Sequence, residues 1–125
     1  MNDLARIEVE QAGGRCILRI HGEIDISNAR DVLATIQRAI PSGAQAIVVD
    51  LSETTYLDSS GVHLLVLLAD RSRIRRQAVS LVVPPEAPIR ALLEVAGVPT
   101  LIPMHDRVDA EHTEESEPGS GPLDR

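Results

Sequence analysis

Hydrophobic positions recur with two different periods along this chain, and the change of period marks its elements. Over Ile7–Gln11 and Arg15–His21 apolar and polar residues alternate, the repeat of a half-buried strand, and Gly13-Gly14 between them signals a hairpin. In the second run Cys16, Leu18 and Ile20 share one face, while Arg15, Arg19 and His21 lie with Ile17 on the other. Cys16 is most simply a small core residue rather than a reactive thiol.

The period then lengthens. Ala29, Val32, Leu33, Ile36, Ala39 and Ile40 follow the three-and-four spacing of a one-sided helix, capped by Ser27 or Asn28 and stopped by Pro41-Ser42-Gly43. Ala46-Ile47-Val48-Val49-Asp50-Leu51 is a continuous apolar run, as in a strand buried on both faces. A loop carrying Asp58 leads to a second helix that reaches about Arg76. It is apolar from Val62 to Ala69 except at His63. Val79–Val83 reads as another strand, halted by Pro84-Pro85. A third helix spans Pro88–Ala96, with Ile89, Leu92, Leu93 and Ala96 on one side and Gly97 as its C-cap. Leu101-Ile102 is the candidate for a last edge strand. This alternation predicts an α/β fold: a single domain with a mixed, mostly parallel sheet of four or five strands, packed against amphipathic helices after an N-terminal β-hairpin.

The 125 residues suit one domain, and their composition narrows what it binds. Tyr56 is the one aromatic residue, so the core is aliphatic, and bases have almost nothing to stack upon. With a net charge of −7 as well, nucleic acid is not an expected partner. All twelve basic residues are Arg, which removes Schiff-base chemistry and a P-loop lysine together. Apolar runs fall short of a membrane span, no membrane partner is expected, and the N-terminus lacks the order of a signal peptide. A lone cysteine leaves no internal disulfide, and a cytoplasmic location is the expectation. From Asp106 the character changes, with seven acids against two arginines in the last twenty residues. Residues 1–105 hold twelve acids and ten arginines, close to balance at −2. The expected organisation is therefore a folded domain over 1–105 and an acidic, disordered tail over 106–125.

Few residues here carry catalytic chemistry. Ser59 is outside any Gly-x-Ser-x-Gly elbow, and His21, His63, His105 and His112 show no partnering pattern. Four scattered histidines and one cysteine do not make metal-ligand spacing, and phosphate-cradling glycine motifs are absent, so neither metal nor cofactor is expected. His63, within the apolar face of its helix, is read as a packed or loop-bonded histidine. Arg71, Arg73, Arg75 and Arg76 form a basic cluster that complements the helix C-terminus or docks an acidic surface. An aspartate-phosphorylated receiver domain needs a lysine, which this chain lacks. No enzyme is predicted.

The most informative segment is Asp58-Ser59-Ser60-Gly61, between the buried strand and the second helix. Asp and Ser are favoured N-caps because their oxygens accept bonds from first-turn amides. The same amides and the helix dipole favour a phosphate placed there. Ser59 or Ser60 is accordingly either a plain cap or a switch. If Gly22-Glu23-Ile24-Asp25 forms a loop at the same end of the sheet, Glu23 and Asp25 neighbour Asp58 and Ser59. Otherwise Asp25 caps the first helix or stays solvated.

Together Gly22-Glu23-Ile24-Asp25, Ile47-Val48-Val49-Asp50-Leu51, Tyr56-Leu57-Asp58-Ser59-Ser60-Gly61-Val62, Val79–Val83 and Ala96-Gly97-Val98 resemble the STAS domain of anti-sigma factor antagonists, over about residues 6–104. The resemblance implies phosphorylation of Ser59 by an anti-sigma factor that is itself a serine kinase. It also implies a partner-binding surface of Glu23, Asp25, Asp58, Ser60, Gly61 and His63 around that loop. Unphosphorylated antagonist would bind the kinase and release the sigma factor. Phosphorylation would end the contact, and a PP2C-type serine phosphatase would reset it. The alternative within the same resemblance is a structural STAS subunit, not phosphorylated, of a lipid-transporting ABC complex or a stress-sensing assembly. This chain departs from the common pattern at His63, where relatives often have Gly, and at Arg76-Gln77, which replaces a common glycine turn.

Overall fold

The computed structural model describes residues 4–108. The alternating start forms β1 (Ala5–Ala12) and β2 (Arg15–Ile24), paired antiparallel with Val9 opposite Leu18. Gly13 and Gly14 both take positive φ, 59° and 83°, as the tight turn between right-twisted strands requires. From there the chain runs through α1 (Ala29–Ala39), β3 (Ala46–Asp50), β4 (Thr54–Leu57), α2 (Ser59–Ile74), β5 (Ala78–Val82), α3 (Arg90–Val95), a short 3-10 turn at Val98–Thr100 and β6 (Met104–His105).

The sheet order is β1-β2-β3-β5-β6, with only the β1–β2 pair of that path antiparallel. Helices cross over between parallel neighbours, as parallel pairing demands. Strand β2 is long enough to serve two partners on one edge. Arg15–Arg19 pairs with β3, while Gly22, Glu23 and Ile24 pair with Thr54, Tyr56 and Leu57 of β4, across a register shift between Gly22 and Glu23. Thr54 secures the change of partner by donating its hydroxyl to the Ile20 carbonyl at 2.8 Å.

The faces are unequal. Cys16, Leu18, Ile20, Ile47, Val49, Leu81 and Val83 meet Val32, Leu33 and Ile36 of α1, Leu64, Leu65 and Leu68 of α2, and Leu93 of α3 in one aliphatic core. The opposite face carries a small cluster of Ile17, Val48 and Val82, against which Val108 packs. Around it Arg19 bridges Glu10 at 2.9 Å and Asp50 at 3.4 Å. The expected division of β2 between two faces holds. Cys16 is fully buried, and burial pushes its thiol pKa up, so it serves as packing.

Several expectations need correction. The sheet has six strands, because Thr54–Leu57, read as loop, pairs with the far end of β2. The last strand is Met104–His105, three residues further along than the Leu101-Ile102 expected. At Leu101-Ile102 the backbone turns, although Ile102 is buried. Helix α2 stops at Ile74, and α3 is shorter than predicted. Leu92, expected on its apolar side, is 38% exposed. The tail lies outside the described residues from 109 onward.

Candidate functional site

Parallel pairing of β2 with β4 places the ends of both strands together. Glu23 lies opposite Tyr56 and Ile24 opposite Leu57, so the turn into α1 and the turn into α2 emerge side by side. The backbones of the two turns adjoin, the Asp58 amide donating to the Ile24 carbonyl at 3.4 Å. Glu23 and Ile24, however, are strand residues rather than loop, and alternation turns the Glu23 side chain to the face opposite Ile24.

Each turn is fixed by its own hydrogen bonds. At α1, the Asp25 amide donates to Asn28 Oδ1 at 2.9 Å, and Asn28 Nδ2 donates to the Glu23 carbonyl at 2.8 Å. Asn28 is buried, and its side chain does not cap the helix. It ties β2 to the start of α1 instead. Asp25 accepts from the Ser27 hydroxyl and, at 2.8 Å, from the Ser27 amide. These bonds, the hydroxyl's first, hold the Asp25 carboxyl below the usual carboxylate range. Asp25 is thus neither a simple cap nor simply solvated.

At α2, Asp58 is the N-cap, its carboxylate accepting the Ser60 amide at 2.9 Å. With the cap supplied by Asp58, the exposed Ser59 makes no hydrogen bond through its hydroxyl to any other described residue. Gly61 is required by proximity rather than by φ. A Cβ there would stand 2.6 Å from Leu57 Cγ and 3.4 Å from Ile24 Cγ2. The first turn of α2 therefore rests directly on the ends of β4 and β2.

Where α1 and α2 separate, a cleft of about 470 Å³ opens beside Ser59. Ile26, Ala29, Arg30 and Leu33 form one wall, and Ser59, Ser60, His63, Leu64 and Leu67 form the other. Ile26 stands 84% exposed at its rim. His63 corrects an expectation: it is exposed on the cleft wall, one helical turn from Ser59, rather than packed in the core. Arg30, the second residue of α1, was not singled out from the sequence, since a single arginine in a helix leaves no pattern. The basic cluster Arg71–Arg76 lies at the other end of a 16-residue helix, roughly 20 Å away, where Arg73 pairs with Asp70 at 2.8 Å.

Among the described residues no three metal-ligating side chains gather, and no helix is long and apolar enough to cross a membrane. The surface thus offers an exposed hydroxyl, carboxylates fixed in turns and an apolar cleft, which together suit recognition by another polypeptide.

A STAS domain profile matches residues 6–111, and the chain belongs to the STAS domain family. It is 22% identical over 106 residues to BtrV of Bordetella bronchiseptica, described as an anti-sigma factor antagonist, spanning 84% of this chain and 90% of that one. The fold is similar to that of an anti-sigma factor antagonist from Mycobacterium paratuberculosis, with a TM-score of 0.76 and 23% identity over 87% of this chain and 92% of the other. It is also similar to the anti-sigma factor antagonist SpoIIAA in its unphosphorylated form, with a TM-score of 0.71 and 22% identity over 89% and 96% of the two chains. SpoIIAA of Bacillus in its phosphorylated form gives a TM-score of 0.65 at 22% identity, over 90% and 100%.

Proposed function

We propose that this protein is a non-enzymatic anti-sigma factor antagonist acting in the cytoplasm, switched by phosphorylation of Ser59. The observation that carries the reading is the exposed Ser59 hydroxyl, left out of the capping role by Asp58 and standing at the mouth of the cleft. BtrV and the two structural relatives described as antagonists support the choice of partner. That partner is an anti-sigma factor serine kinase, which in its docked state covers Glu23, Asp25, Asp58, Ser60, Gly61 and His63. The kinase moves the γ-phosphoryl group of ATP onto Ser59 Oγ: an O–P bond replaces the O–H bond, ADP leaves and the proton goes to solvent. A PP2C-type phosphatase hydrolyses the ester and restores the hydroxyl.

Phosphorylation adds about −1.5 to −2 charge at pH 7 beside Asp58, Glu23 and Asp25. First-turn amides of α2 tolerate that charge, so the fold persists and the interface changes through repulsion and bulk. The test is to mix the protein with ATP and each candidate kinase of its source cell and to map the phosphate by mass spectrometry. Ser59→Ala should still release the sigma factor and Ser59→Asp should not. Equal partner binding by both variants refutes the switch and favours a structural STAS subunit.

A further inference from the structure

The cleft beside Ser59 contains two basic side chains and no carboxylate. Arg30 reaches in from α1 and His63 from α2, above an apolar floor of Leu33, Leu64 and Leu67. Arg6, Arg19, Arg73 and Arg90 each hold a carboxylate, whereas Arg30 forms no ion pair or hydrogen bond with another described residue. His63 follows Ser59 by four residues, a spacing that brings side chains on one helix to within about 5–6 Å. The guanidinium matches a phosphate in geometry as well as charge, and an imidazole N–H adds a donor.

We infer that a phosphate on Ser59 is received by the protein's own Arg30 and His63, and that this internal clamp closes the cleft between α1 and α2. The inference rests on the proposed phosphorylation of Ser59 and adds a way in which it acts. Arg30 held on the phosphate spans the cleft and covers the floor that a partner would use. The modified antagonist then loses its docking surface through its own side chain, in addition to repelling the partner. The other charged groups around Ser59 are Asp58 in the same turn and Glu23 and Asp25 at the end of β2 and beyond it, all acidic. The first-turn amides and dipole of α2 favour the dianion in every variant alike, so the contribution of Arg30 and His63 is read as the difference between variants.

The test uses the full chain with phosphoserine placed at position 59 during translation, so that no kinase is needed, and follows the phosphate by ³¹P NMR against pH. A phosphoserine ionises a second time near pH 6, and an exposed cation in contact with it, a weak solvent-screened pair, lowers that midpoint by about half a unit. The midpoint should rise by about that amount in Arg30→Ala and by less in His63→Ala. Arg38→Ala, on the same helix but away from the cleft, should titrate as the unsubstituted chain does. Coincident curves for the unsubstituted chain and either Arg30→Ala or His63→Ala overturn the clamp, as does an equal shift in Arg38→Ala. Failure of every kinase to modify Ser59 would instead overturn the proposed function and leave this measurement standing.

Discussion

Gly22→Ala tests how the strand change beneath the site is built. Gly22 has φ +103°, where L side chains are rarely found, and it sits where β2 leaves β3 and takes up β4. A Cβ placed there would stand 2.1 Å from the Leu4 carbonyl oxygen and 3.2 Å from its carbon. Both neighbours are backbone, so no rotamer relieves the contact. The same Leu4 oxygen accepts the Glu23 amide at 2.9 Å, and the Gly22 amide donates to Glu53 at 3.0 Å. Moving β1 away therefore breaks a hydrogen bond, a loss of about 0.5–1.5 kcal/mol. Adopting the positive φ adds about 1–2 kcal/mol. The expected destabilisation is about 1.5–3.5 kcal/mol, a large part of the roughly 5–15 kcal/mol that holds a domain together. Urea unfolding of the full chain measures it, with Gly43→Ala as the control. A Cβ at Gly43 meets nothing within 4 Å, and that change should be neutral or stabilising by about 0.4–1 kcal/mol. A loss below about 1 kcal/mol for Gly22→Ala at unchanged m-value, or an equal loss for Gly43→Ala, refutes the account.

Three further expectations follow from single contacts. Gly61→Ala gains about 1 kcal/mol of helix propensity but overpacks Leu57 at a cost of about 1–3 kcal/mol, and should lower stability overall. Combining it with Leu57→Ala should restore part of the loss in a double-mutant cycle, whereas simple additivity would remove the Gly61–Leu57 contact as the cause. Arg76 has φ 60°, the left-handed region where glycine is at ease, so Arg76→Gly should raise stability by about 1 kcal/mol in the same urea assay. The Asp25 carboxyl is held low by Ser27, so its stabilising contribution is present above the unfolded pKa and disappears as pH falls through the folded one. Ser27→Ala should move the Asp25 midpoint upward, toward the ordinary carboxylate value, in a carboxyl NMR titration. An unmoved midpoint would show that the backbone bonds alone hold it.

Local pattern carried much of this fold. Alternation placed Cys16, Leu18 and Ile20 in the core and Ile17 on the other face, and the Gly13-Gly14 turn followed from φ requirements. Strand β4 was hidden because Thr54–Leu57 is only four residues long, directly after the turn that closes β3, and has no partner until β2 outruns β3. Leu101-Ile102 was misread because apolar character reported burial correctly but said nothing of backbone direction. Only the pairing of Met104 with Leu81 and His105 with Val82 settles which residues extend the sheet. Gln77, noticed as a departure from a glycine turn, is buried and donates its side-chain amide to the Ala44 carbonyl at 3.0 Å, tying the loops at the end opposite the site. At the site, Asp58 and Ser59 were legible because cap chemistry is local. The exposure of His63 and the presence of Arg30 depend on how far α1 and α2 diverge, a tertiary quantity that no periodicity encodes.

These particulars bear on how the proposed modification at Ser59 would act without unfolding the domain. The residues beneath the loop are committed elsewhere: Asn28 to β2, Asp58 to the Ser60 amide, and Gly61 to direct contact with Leu57. Ile24 and Leu57, under the first turn of α2, are buried in an aliphatic core with little room to shift. By contrast Ser59, His63, Arg30 and Ile26 are all exposed, and none of their side chains bonds to the core. A charge added at Ser59 therefore meets a stiff floor below and free side chains beside it. The side chains are the softer response. Rearrangement should then stay within the cleft, which is where a docking partner would sense it.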